Sequence, residues 1–233
     1  EVQHRFPAAR VARLDLDTTR TKSAYDKILS DFQEGRTNVL IGTQMISKGL
    51  DFGNVDVVGI MNADTMLNFP DFRSYERSFQ LMAQVAGRAG RKNKRGLVIL
   101  QTKSPDLPVI QQIIQNDYEQ LYYDQLAERQ LFRYPPFYRI INIYLKHTDD
   151  HVVEAAAAYL GSMLHPHFPD SLLGPERPVV ARVQLLYIRK FVLKVAPSLP
   201  PAGVRATLHA AKQSLCATEA FKRVQIHYDV DPL

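Results

Sequence analysis

The feature that most constrains this chain is the pair of adjacent prolines in Tyr134-Pro-Pro-Phe137. Each pyrrolidine ring locks φ and removes a backbone donor. Each ring also pushes the residue before it out of the helical region. Neither a helix nor a central strand runs through such a pair, so it makes a stiff corner. The expected organisation is a first domain over residues 1–132 and a second over residues 133–233. At roughly 100–200 residues per domain, the length allows this.

Before the corner, short apolar runs alternate with helical patterns. Val11-Ala-Arg-Leu-Asp-Leu reads as a strand. Lys22 to Glu34 reads as a helix, with Tyr25, Ile28, Leu29 and Phe32 at helical spacing and Gly35 as its stop. Strands follow at Val39-Leu-Ile-Gly and from Val55 to Met61, then a helix from Arg73 to Ala89 and a strand from Leu97 to Gln101. Pro108 to Leu131 reads as one long helical stretch. Strand–helix alternation of this kind predicts an α/β domain with a parallel sheet covered on both faces.

After the corner the order changes. Tyr138 to Lys146 alternates as a strand, and Asp150 to His165 is an alanine-rich helix. Two β-branched runs between Pro178 and Ala196 predict a hairpin around Leu185–Arg189. A helix from Pro201 to Cys216 and a strand from Arg223 to Val230 close the chain. The order β-α-β-β-α-β is that of a small ferredoxin-like α+β domain.

Charge separates the halves as well. Residues 1–132 hold 17 Lys+Arg and 16 Asp+Glu, net +1, while residues 133–233 hold 12 and 8, net +4. Arg182, Arg189, Lys190 and Lys194 fall on the predicted hairpin of the second half. Such a cluster suits phosphate neutralisation; it equally suits a solvated strand face. Tyr187 and Phe191 lie among these cations, either as stacking platforms for bases or as core.

A hydrophobic fraction of 45% excludes a disordered or collagen-like chain. The lone Cys216 excludes an intrachain disulfide and a thiolate-rich zinc site. His147 and His151 fall across a strand–helix junction, and His165 and His167 in a loop, so neither pair reads as a metal site. The longest mostly apolar run, Val152 to Leu164, is too short for a bilayer span, and no charged-then-apolar leader opens the chain.

Two segments carry chemistry. Gln84-Val-Ala-Gly87-Arg88-Ala-Gly90-Arg91 lies at the end of a predicted helix and projects two arginines three residues apart. A guanidinium is permanently charged, and its fork fits phosphate oxygens. Held against a γ-phosphate, it stabilises the charge that develops in phosphoryl transfer. A helix C-cap followed by surface charge fits the same residues. The second segment, Gly42-Thr-Gln-Met-Ile-Ser-Lys-Gly49-Leu-Asp51-Phe, starts where a predicted strand ends. In open parallel sheets, ligands bind at that end of the strands.

Taken together and in this order, the two segments resemble motifs V and VI of superfamily 2 helicases. With Arg13-Leu-Asp-Leu-Asp-Thr-Thr, Pro70-Asp-Phe-Arg-Ser-Tyr-Glu-Arg, Tyr134-Pro-Pro-Phe, Leu173-Gly-Pro and Asp229-Val-Asp-Pro, they resemble the bacterial primosomal replication-restart helicases over essentially the whole chain. The resemblance implies a second RecA-like motor lobe followed by a C-terminal domain that contributes to DNA binding. It implies an ATP-dependent 3′→5′ DNA helicase that recognises abandoned forks and promotes primosome assembly in the bacterial cytoplasm, at the nucleoid. It also implies forked and single-stranded DNA, single-stranded-DNA-binding protein and other primosome proteins as partners.

Carried across residue by residue, Arg88 and Arg91 match the arginines that reach the triphosphate, and Gln84 the glutamine beside the attacking water. Gly49, Asp51 and Gly87 match positions beside the nucleotide, and Thr43, Gln44 and Lys48 match positions along the DNA backbone. Asp71, Arg73, Glu76 and Arg77 belong to the pattern, with helix capping and ion pairing as their simplest use. No G-x-x-x-x-G-K-[ST] and no Asp-Glu dipeptide occur in the chain. In the family those groups, which hold ATP and Mg²⁺, lie on a preceding lobe, and a cysteine-rich zinc module lies just upstream of the segment matched here. The expectation is a C-terminal fragment, inactive alone as an ATPase. The alternative is a non-catalytic module that docks DNA or a protein.

Overall fold

The computed structural model describes residues 2–15, 21–43, 55–87 and 96–232. The chain divides into two compact units, residues 1–125 and 126–233.

In the first unit, a short helix α1 (Val2–Arg5) precedes β1 (Val11–Leu14), α2 (Lys22–Gln33) and β2 (Val39–Gly42). Thr21 caps α2 by accepting the Ala24 N–H, and Gly35 follows the helix with a φ of 74°. The α2 positions Tyr25, Ile28, Leu29 and Phe32 pack around the fully buried Leu14, as their spacing predicts. Strands β1 and β2 are parallel, with Val11 opposite Val39.

Next come β3 (Val57–Ile60), α3 (Asp64–Leu67), α4 (Ser74–Ala86) and β4 (Leu97–Leu100), with β3 and β4 parallel. Among the described residues the parallel strands form two separate ribbons. Helix α4 buries Phe79 and Met82 against Ile60, Leu100 and the following helix α5 (Pro108–Gln115).

The long helix expected from Pro108 to Leu131 is two helices, α5 and α6 (Tyr118–Leu131). Asn116 breaks it in the left-handed conformation, with a φ of 54°, a role asparagine takes more readily than other non-glycine residues. The unit boundary falls inside α6, ahead of the paired prolines, because the last turns of α6 are tied to the second unit. Arg133 sits in the left-handed region (φ 58°) just past the helix, and the Tyr134 N–H reaches back to the Arg129 carbonyl at 2.7 Å. The Arg133 guanidinium donates to the Asp170 carbonyl at 3.2 Å.

The second unit is a two-layer α+β sandwich. Its elements are β5 (Arg139–His147), α7 (Asp150–Leu164), β6 (Leu172–Glu176), β7 (Arg182–Val183), β8 (Leu186–Val195), α8 (Pro201–Ala217) and β9 (Gln225–Val230). The sheet order is β6-β8-β5-β9 with every neighbour antiparallel, and β7 adds to β8. The expected β-α-β-β-α-β order is present, with β7 as an addition.

Two corrections concern the strands. The second strand is Leu172–Glu176, upstream of the predicted hairpin, and the turn joining β7 to β8 is at Gln184–Leu185. Strand β6 contains Gly174-Pro175, a pair that normally signals a loop. Glycine is needed there: φ is 109°, and a Cβ would stand 2.7 Å from the Lys190 carbonyl oxygen.

Alternation along the central strands sorts side chains to two faces. Ile143, Leu145, Phe191, Leu193 and Val195 face α7 and α8 and are buried with Val153, Ala157, Leu160, Val204, Leu208 and Leu215. Tyr144, Lys146, Lys190 and Lys194 fall on the opposite face, where Tyr144 pairs across strands with Lys190 and His227.

Candidate nucleotide and nucleic-acid sites

In the first unit the candidate residues sit at element ends. Helix α4 is anchored at its start by Asp71, whose carboxylate accepts the Arg73 N–H and the Arg77 guanidinium, each at 2.8 Å. Ser74 donates its hydroxyl to the Asp71 carbonyl at 2.6 Å. Asp71 and Arg77 therefore brace the start of the helix. With Phe79 and Met82 turned inward, Arg77, Gln80 and Gln84 form an exposed stripe along α4. Gly87 ends the helix, and its N–H bonds back to the Ala83 carbonyl. Gln84 and Gly87 are thus exposed at the end of α4, directly before the arginine pair in sequence. Thr43 is exposed immediately past the end of β2. Gln44, Lys48, Gly49, Asp51, Arg88 and Arg91 lie outside the described residues.

In the second unit the four predicted cations separate. Arg189 is a correction: its side chain is 2% exposed and lies on the helix side of the sheet. It bonds Asp150 at 2.7 Å, Glu154 at 2.5 Å and the Ile188 carbonyl at 3.0 Å. Burial opposes its charge, but the bonds to Glu154 and Asp150 outweigh that and hold the guanidinium above its usual pKa. The same bond holds the Asp150 carboxyl below its ordinary value. Arg189 clamps β8 to the first turns of α7 and is not available to a phosphate.

Lys194 is also engaged. Its ammonium donates to the Phe132 carbonyl at 2.6 Å and lies 3.9 Å from the Tyr134 ring centroid. Burial, and then the Arg133 charge, lower its pKa. It fastens the proline corner to the sheet. Lys190 is partly exposed, with Glu176 at 3.8 Å. Arg182 is exposed and stacks on the Tyr187 ring at 4.8 Å. Phe191 is core and Tyr187 packs against that core, so neither is an open base platform. Period-two parity was the available signal: Arg189 shares its face with Phe191 and Leu193, Lys190 with Lys194. Among the described residues no group of three His, Cys, Asp or Glu side chains could hold a metal ion, and no helix is long and apolar enough to cross a membrane.

Residues 4–93 match the family model described as the helicase conserved C-terminal domain. Residues 130–233 match the primosomal protein N C-terminal domain. The replication restart protein PriA of Bacillus subtilis is 43% identical over 191 residues, covering 81% of this chain and 24% of that protein. The chain belongs to the PriA family. PriA of Treponema pallidum is 39% identical over 234 residues, covering 100% of this chain and 35% of that protein. The chain thus spans about a quarter to a third of the length of these PriA relatives. Among solved structures, the C-terminal domain of the DEAD-box protein Dbp5 is 20% identical with a TM-score of 0.35, covering 55% of this chain and 71% of that one. That likeness is too slight to bear on the site.

Proposed function

We propose that this chain is the C-terminal part of an ATP-dependent 3′→5′ DNA helicase that recognises stalled or abandoned replication forks and promotes primosome assembly. The observation that carries this reading is the tandem match, a helicase C-terminal domain followed in one chain by a primosomal protein N C-terminal domain. The first unit contributes half of an ATP site. Arg88 and Arg91 meet the triphosphate and stabilise the charge that spreads over its equatorial oxygens. Gln84 positions the attacking water, and Gly49, Asp51 and Gly87 line the nucleotide. Thr43, Gln44 and Lys48 hold the DNA backbone. The exposure of Gln84 and Gly87 at the end of α4 supports these roles.

Mg²⁺ and the remaining phosphate contacts belong to the preceding, first motor lobe of the longer protein, and zinc to another of its modules. The second unit offers Arg182 and Lys190 to forked or single-stranded DNA. Single-stranded-DNA-binding protein and other primosome proteins are its protein partners, in the bacterial cytoplasm at the nucleoid.

The test is Arg88→Ala and Arg91→Ala in a protein of the relatives' full length. Each is expected to lower DNA-stimulated ATP turnover by on the order of 100-fold or more while circular dichroism stays unchanged. Unchanged turnover removes the arginine assignment. ATP turnover by the 233-residue chain alone refutes the half-site reading.

A further inference from the structure

Residues 104–128 contain Asp106, Asp117, Glu119, Asp124 and Glu128 and no lysine or arginine, in a chain whose net charge is +5. This stretch forms α5 and most of α6. Its inner side is ordinary core: Val109, Ile110 and Leu121 are buried with Phe79 and Met82. Its outer side is not ordinary surface. Ile114 is 65% exposed, and Tyr118, Tyr122 and Tyr123 are 55%, 48% and 56% exposed. Tyr118 and Tyr122 are four residues apart and share a helix face. The Tyr122 and Tyr123 rings meet edge to face, with centroids 5.4 Å apart. Tyr118 lies 5.9 Å from the buried Phe79 ring, which ties the patch to the core. Scattered exposed apolar side chains need no explanation, but large aromatics gathered on one helix mark partner surfaces.

The charges around these rings select the partner. The Asp117 carboxylate accepts the Gln120 N–H at 3.0 Å, and that of Asp124 accepts the amides of Gln112 and Gln120 at 2.6 and 2.8 Å. Those donors are neutral, so they orient the carboxylates without cancelling their charge. Among the described residues no ion pair reaches Asp117, Glu119 or Asp124. A phosphate backbone would be repelled here. A guanidinium or ammonium would gain twice, by pairing with a carboxylate and by lying over a tyrosine face.

We propose that the outer face of α5 and α6 is a docking surface for a basic, partly apolar segment of a partner protein. The partner's Arg or Lys heads pair with Glu119 and stack on Tyr122 and Tyr123, and its aliphatic side chains cover Ile114 and Tyr118. None of these residues is among those assigned to ATP or DNA, and the proposal stands independently of the helicase reading.

The 233-residue chain is titrated by fluorescence anisotropy against a labelled amphipathic peptide with one leucine face and one arginine face. A peptide with glutamate in place of arginine and an oligothymidylate serve as further probes. The arginine peptide is expected to bind, more weakly as salt rises. Tyr122→Ser/Tyr123→Ser and Glu119→Lys are each expected to weaken binding by about tenfold or more. These positions are exposed, so unchanged circular dichroism is expected in both variants. The proposal is overturned if the arginine peptide fails to bind the unaltered chain, if the glutamate peptide binds as well, or if the variants bind like the parent. It is also overturned if the same variants lose oligothymidylate affinity, which makes the face a nucleic-acid site. Sedimentation at low salt closes the remaining route: self-association abolished by Tyr122→Ser/Tyr123→Ser makes a second copy of the chain the occupant and overturns the proposal too.

Discussion

Removing Arg189 tests whether its charge builds the fold or meets DNA. The side chain is 2% exposed and holds three bonds, to Asp150, Glu154 and the Ile188 carbonyl. Arg189→Ala deletes two methylenes of the buried alkyl stem, Cγ and Cδ, at about 0.8 kcal/mol each, or about 1.6 kcal/mol. It also deletes the charge-assisted bonds, which contribute about 1–2 kcal/mol net. The side chains of Asp150 and Glu154 are 34% and 56% exposed, so water takes over much of their solvation and the full penalty of a stranded buried charge does not apply. The sum is about 3 kcal/mol. Arg189→Met keeps an alkyl stem and should cost about 1–2 kcal/mol. For a unit of this size each kcal/mol lowers Tm by roughly 4 °C or more, so the alanine variant should melt about 10 °C or more lower in scanning calorimetry. At a temperature where both proteins are folded, Arg189→Met should bind DNA like the parent chain. If Arg189→Met weakens DNA binding severalfold while its Tm is unchanged, the structural assignment of Arg189 is wrong.

Two further perturbations probe the second unit. Gly174→Ala combines a forbidden φ with a Cβ 2.7 Å from the Lys190 carbonyl oxygen, so urea unfolding should show a loss of at least about 2 kcal/mol; a loss below half that would mean β6 relaxes freely. Tyr228 is pushed up to about 12 by burial, and its hydroxyl donates to the Leu208 carbonyl. Because the folded pKa is the higher, its contribution is complete below pH 10 and is lost as pH rises through 12. Tyr228→Phe should flatten the fall in Tm across that window, and an unchanged alkaline slope would show that Tyr228 does not set it.

Much of the fold is legible in the residues, and the exceptions have local causes. The helix α2, its cap at Thr21 and its stop at Gly35 follow from spacing and turn chemistry, because one apolar stripe packs on one core residue, Leu14. The break between α5 and α6 was hidden because apolar positions continue across it, and only the left-handed Asn116 interrupts the helix. Strand β6 was hidden by Gly174-Pro175, whose close approach to β8 is a tertiary fact. The unit boundary lies inside α6, where contacts distant in sequence tie the corner to the second unit: Lys194 bonds the Phe132 carbonyl and Arg133 the Asp170 carbonyl. At the candidate site, reading four hairpin cations as one patch ignored strand parity. The partners of Arg189 lie 35 and 39 residues away, beyond the reach of any local pattern.

That division of the cations fixes how steeply salt should act on the second unit. If all four bound phosphates, each would release a counterion, and log K against log salt for single strands would carry about −0.7 per contact, near −2.8 in total. Arg189 is locked to two carboxylates, and Lys194 to a carbonyl and a ring. Only Arg182 and Lys190 remain to meet a phosphate, and Lys190 must first leave Glu176, 3.8 Å away. Their joint contribution should therefore be near −1.4. In salt titrations of single-stranded DNA binding by the 233-residue chain, Arg182→Ala/Lys190→Ala should make the slope shallower by about that amount, and Arg189→Met should not change it. A loss of slope in Arg189→Met equal to that in Lys190→Ala would mean the β8–α7 clamp opens when DNA binds, and would return Arg189 to the binding surface.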